Sequence, residues 1–222
     1  MNAEEHSAQH DFDAMSKIVN KLYKMSRDYW RTGSGRPREK NKKALEFHDR
    51  VQAFRFPLTA GEMKQLLLRD RVNSKIETEE TKFVHLPPLE DDPLFIPVLR
   101  IKADLPNKFA EFRVEMYTYK DEAGMENRPS GIGFRFETPT LDSPNHNFHH
   151  VQLFDTENGG GLGEALIKLP STVPCMPLLA DEPVSLTLCM IVSLYGTQGL
   201  SDVISDLNLD PMYFAPLRQL VT

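Results

Sequence analysis

The sequence predicts an α+β fold: an N-terminal helical region, then an antiparallel β-meander packed on C-terminal helices. Three observations predict it. Apolar residues recur at helical spacing up to about residue 78. From Lys82 the period becomes two, and short turn-bounded strands follow one another with no helix between them. The stretch 184–195 is apolar on nearly every side, which predicts a buried helix. The lack of strand–helix–strand alternation argues against a doubly wound sheet.

The first residues, 1–11, are polar and acidic and are expected as a disordered tail. A helical region covers 12–78, and an α+β domain covers 79–222. Met15, Ile18, Val19, Leu22, Met25 and Tyr29 form one helical stripe over 12–29. Lys17, Lys21, Lys24 and Arg31 line another face. The run TGSG at 32–35 marks its end. Pro37 suits the first turn of a second helix, 38–54. That helix opens on Arg36, Arg38, Lys40, Lys42 and Lys43, and basic residues at a helix start oppose its dipole. Thr59 and Glu62 form a capping box for a third helix, 60–72.

Strands are predicted at 82–86, 95–103, 109–120, 131–138 and 147–154, with 166–169 as a further short one. Residues 170–177 read as extended, with three prolines. Asp181 and Glu182 precede Pro183 as a helix start, and Gly196 sits where a terminating glycine belongs. Amphipathic helices are expected near 200–207 and 211–220.

The chain has 222 residues, 40% hydrophobic and 26% charged, within the range of globular domains. A net charge of -6 argues against nonspecific nucleic-acid binding by the whole molecule, but not against a local basic patch. Two cysteines, Cys175 and Cys189, are too few for a disulfide framework. The N-terminus lacks the apolar run of a signal peptide, and 184–195 is shorter than the roughly 20 residues of a membrane span. A cytoplasmic protein without membrane contact is expected.

Three histidines, His146, His149 and His150, fall in or after a turn that follows Arg135 and Glu137. His149 and His150 are adjacent, so a regular strand points them to opposite faces and they do not share a metal. No metal motif and no cofactor motif is present; NGGGLG at 158–163 lacks the lysine of a P-loop. One histidine acting as general acid or base beside Arg135 and Glu137 is the enzymatic reading. The alternative is a histidine that organises the turn. On the sheet, Leu99, Ile101, Phe112, Val114, Met116, Ile132, Phe134 and Phe136 are predicted to face inward. Arg100, Lys102, Arg113, Glu115, Tyr117, Tyr119, Arg135 and Glu137 then face outward. Such a face is able to stack bases and pair phosphates. Its plainer reading is cross-strand pairing of Arg113 or Arg135 with Glu115 or Glu137.

The run Phe134-Arg135-Phe136-Glu137, followed by Pro139, His146 and Phe148-His149-His150, resembles a pattern in small bacterial toxin-like proteins of toxin–antitoxin and mobile-element modules. Those proteins carry Asp where this chain has Glu137. The resemblance implies a bacterial defence or mobile-element setting and transfers no catalytic role. The expected function is a binding or adaptor protein that contacts an acidic partner, nucleic acid or a protein subunit. Its contact surface would be Arg36, Arg38, Lys40, Lys42 and Lys43 with Lys17, Lys21 and Lys24. The competing expectation is a His-dependent hydrolase, such as a ribonuclease, with its site on 131–154.

Overall fold

The computed structural model describes residues 3–34, 36, 38–39, 42, 56–68, 75–79, 82–87, 95–118, 131–139, 148–155 and 176–219. The elements run α1 (Ala3–Trp30), β1 (Phe56–Pro57), α2 (Ala60–Leu68), β2 (Lys75–Glu77) and β3 (Lys82–His85). Then come β4 (Phe95–Asp104), β5 (Phe109–Thr118), β6 (Gly131–Glu137), β7 (His150–Asp155), β8 (Met176–Pro177) and α3 (Pro183–Ile204). Two 3-10 turns, Pro211–Phe214 and Pro216–Gln219, close the described chain. This is the predicted α+β arrangement.

The sheet order is β1-β3-β4-β5-β6-β7-β8, with β2 also on β4. Every pair is antiparallel except the short β1–β3 pair. Alternation sorts the two faces. Leu99, Ile101, Phe112, Val114 and Phe136 are buried on one face, and Phe134 packs against them. Helix α3 packs on β5 and β6 from that side, and α1 packs on β3 and α3. Phe12, Met15, Ile18, Val19 and Leu22 of α1 join Leu186, Leu188, Met190 and Ile191 of α3 in one core. Among the described residues the helical region has no core of its own; Leu58, Met63 and Ile76 belong to the same cluster as the sheet.

Several boundaries differ from the sequence reading. Helix α1 begins at Ala3, so residues 3–11, expected as a tail, form its first turns. They are held by Tyr213, whose hydroxyl donates to Asp11 Oδ1 at 2.7 Å and lies 2.8 Å from His10 Nδ1. The region 12–78 is not purely helical, because it supplies β1 and β2. The capping box forms as predicted: Thr59 N donates to Glu62 and Glu62 N to Thr59 Oγ1. Strand β7 starts at His150 rather than 147. Helix α3 runs past Gly196, where φ is 66°, and resumes to Ile204, absorbing the helix expected near 200–207. Where a last helix was expected at 211–220 there are two 3-10 turns, each opened by a proline. The helix predicted over 38–54 and the strand at 166–169 lie mainly or wholly outside the described residues.

Candidate functional site

Two regions carry the predicted site residues: the polar face of the sheet, and the end of α1. On the sheet, register places them in rows. Arg100 lies opposite Arg113, Arg113 opposite Arg135, and Arg135 opposite Gln152. The next row runs Lys102, Glu111, Glu137, His150 and Pro177. Three arginines directly across from one another repel. The strands offset this along their own length. Arg113 Nε is 2.7 Å from Glu111 Oε1, and Arg135 Nε is 2.7 Å from Glu137 Oε2. These two pairs lie within a strand, two residues apart. Arg135 Nη2 also donates to Gln152 Oε1.

Of the five residues expected in an enzymatic site, three converge. His150 Nε2 lies 2.9 Å from Glu137 Oε1, and the other oxygen of that carboxylate meets Arg135. The His150 Nδ1 lies 2.8 Å from the Phe148 carbonyl, and the Phe148 ring meets the imidazole edge-on. A carbonyl only accepts, so Nδ1 carries a proton. Chemically this is a histidine and a carboxylate in proton-transfer reach. Access is the difficulty: the side chains are 0% and 7% exposed. His149 does not join them. It precedes β7, is half-buried, and its carbonyl accepts from Leu178 N at 2.8 Å. Burial lowers its pKa, and the nearby Asp181 charge partly opposes that. His146 and Tyr119 lie outside the described residues, as does the Tyr117 side chain. Among the described residues no group of three or more His, Cys, Asp or Glu is arranged to hold a metal.

At the end of α1 the basic residues have a different surrounding. Lys17 and Lys24 are exposed; Lys21 is paired with Asp206 at 2.9 Å, so it ties α1 to the end of α3. After Trp30 the chain folds back on the helix. Thr32 N donates to Arg36 O, Arg38 N to Trp30 O, and Arg38 Nε to Asp28 O. Arg36 and Arg38 are exposed beside the last turn of α1. The sequence reading set these charges against the dipole of a following helix. Here they lie by the carbonyl end of α1, where cations are favoured. Lys42 is exposed, and Lys40 and Lys43 lie outside the described residues. Arg27, which the sequence reading passed over, belongs to this surface: it is exposed and pairs with Asp28 at 2.9 Å. Its spacing of four from Arg31, just before TGS, was the signal.

Helix α3 is long and apolar enough to cross a membrane, and 50% of that stretch is buried inside the protein. Burial pushes the Cys189 thiol up to about 11, which leaves it protonated and unreactive. No protein family, curated protein or solved structure matches this chain.

Proposed function

We propose that this chain is a cytoplasmic binding or adaptor protein that holds an acidic partner on the basic surface at the end of α1. The observation that carries this reading is the exposed Arg27, Arg36 and Arg38 gathered at the end of α1, with Lys24 and Lys17 farther back along the same helix, on a chain whose net charge is -6. Charges kept exposed contribute little to stability, so their gathering is better explained by a partner than by the fold. Nucleic acid suits it first, because arginine forks match phosphate oxygens two at a time. An acidic protein surface is the competing partner. A bacterial defence or mobile-element setting rests on the resemblance of residues 134–150 alone.

The hydrolase reading has one specific observation in its favour, the Glu137–His150 contact. It ranks second because a general base must reach its substrate, and His150 is enclosed. One set of experiments separates the two. Single-stranded RNA and DNA probes are followed by fluorescence anisotropy against a salt series. The variant carrying Arg36→Ser, Arg38→Ser and Lys42→Ser should melt like the parent, bind more weakly and show a flatter salt dependence. Unchanged affinity, or parent binding indifferent to salt, removes this reading. The same probes should stay uncut by the parent. Cutting that is lost in His150→Ala with an unaltered melt would favour the hydrolase instead.

A further inference from the structure

Beside the basic surface the fold leaves a cleft of about 460 Å³ between the last turn of α1 and the start of α2. Tyr23, Arg27, Arg31, Thr32, Ser34 and Thr59 are among the residues that line it. The size lies in the range of small-molecule sites, roughly 300–1,000 Å³. Arg27 in the last turn of α1 and Arg31 just beyond it, whose N donates to Arg27 O, both line it. Tyr23 is buried between the helix and Leu58, and burial raises its hydroxyl pKa while the charges of Arg27 and Arg31 oppose the rise. Both guanidinium groups thus act on the same wall. Hydroxyls add further polar groups: Thr32 Oγ1 and Ser34 Oγ lie 2.8 Å apart on the turn that closes α1.

Two of the described carboxylates near the cleft are engaged. Glu62 Oε2 accepts from Thr59 N at 2.7 Å, and its Oε1 pairs with Lys82. Asp28 is held by Arg27 Nε and Nη2, an exposed and therefore weak pair that an incoming phosphate has to displace. The cleft is lined by two guanidinium-bearing residues and by hydroxyl residues, with Leu58 and Ala60 as an apolar wall. A carboxylate offers two oxygens to such a set. A phosphate ester offers three, enough to engage both arginines and the hydroxyl turn at once.

We infer that this cleft is a nucleotide-sized site that seats a phosphate ester between Arg27, Arg31 and the Thr32–Ser34 turn. The inference deepens the acidic-partner reading and rests on it: the phosphate belongs to a free nucleotide or to the end of a nucleic-acid strand.

The test uses the whole chain. AMP, ATP and inorganic phosphate are titrated by calorimetry. RNA of one sequence, with a 5′-phosphate or a 5′-hydroxyl, is titrated by anisotropy, and a polyglutamate peptide serves as a non-phosphate anion. Two variants alter the cleft independently: Arg31→Gln removes a fork, and Ser34→Asp places a negative charge on an exposed turn. Lys75→Ser removes one exposed charge elsewhere as a control. Binding of AMP or of 5′-phosphorylated RNA should weaken at least about tenfold in both cleft variants and stay level in the control. Thermal melts should be unchanged. Binding of AMP identifies a free nucleotide, and preference for the 5′-phosphorylated RNA identifies a strand end; either supports the site. Phosphate-bearing probes that bind the cleft variants like the parent overturn it, as does polyglutamate competing as well as ATP. If both RNAs bind in a salt-dependent way but without a 5′-phosphate preference, and AMP does not bind, the cleft is overturned while the acidic-partner reading stands. If nucleotides bind and no RNA does, the cleft stands and the wider reading fails.

Discussion

Glu182 shows two physical effects in opposition at one side chain. It caps α3, accepting from Val184 N and Ser185 N, and the Ser185 hydroxyl also meets it. Those hydrogen bonds favour the carboxylate. Burial disfavours it and wins, with the Asp11 charge adding to the rise, so Glu182 moves from 4.5 up to about 7. A carboxyl whose pKa is raised by folding binds its proton more tightly in the folded state. Its contribution is full below about 4.5 and is lost as pH rises through about 7. The parent should therefore lose roughly 5 °C of Tm between pH 5.5 and 8 relative to Glu182→Gln, which stays neutral throughout. Parallel Tm profiles for the two proteins would contradict this. Glu182 was legible as a helix start, because an acid before Pro183 has a positional meaning. Its perturbed charge was not, because that depends first on burial by parts of the chain remote in sequence, with the Asp11 charge adding to it. The same holds at Glu137 and His150. Their types and the alternation of their strand were readable; the register that sets them opposite each other passes through a loop and was not.

At the scale of elements, α3 contains a break whose two glycines do different things. Gly196 takes φ 66° and ψ -171°, a conformation essentially confined to glycine that costs other residues on the order of 1–3 kcal/mol. The position was legible as a helix terminator. Helix then resumes, and this brings Gly199 onto Tyr195: a Cβ added there would sit 2.2 Å from Tyr195 Cβ. Tyr195 is not free to yield, since its hydroxyl donates to the Pro87 carbonyl at 3.0 Å. Helix propensity alone says that Gly199→Ala stabilises by about 1 kcal/mol. The overlap costs about 1–3 kcal/mol, so the sign reverses. Urea denaturation should show Gly199→Ala less stable than the parent by about 1 kcal/mol or more; a more stable variant would mean that the break is relaxed in solution. Long elements were read well because their periodicity is long. β1, β2 and β8 were missed because two or three residues carry no period, and their pairing is decided by β3, β4 and β7.

For the whole molecule, α3 is the element on which the rest converges. Leu186, Leu188, Met190 and Ile191 are fully buried, and Thr187 and Ser185 are buried with their hydroxyls bonded to Pro183 O and near Tyr213 O. Leu188→Asp would place a charge where no partner waits, a cost of several kcal/mol against a total stability of about 5–15 kcal/mol. The variant should be recovered only in the insoluble fraction; a soluble variant with the parent's melt would show that Leu188 is not in the core. Helix α1 meets α3 directly, and its charges and hydroxyl contacts reach even further along the chain, from Lys21 to Asp206 and from Asp11 to Tyr213. This ordering has a consequence during synthesis. The ribosome releases α1 well before α3, at about 5–20 residues per second. Until then Phe12, Met15, Ile18 and Leu22 have no α3 to cover them. Between those two events the nascent chain carries a bare apolar helix, the kind of segment that chaperones hold.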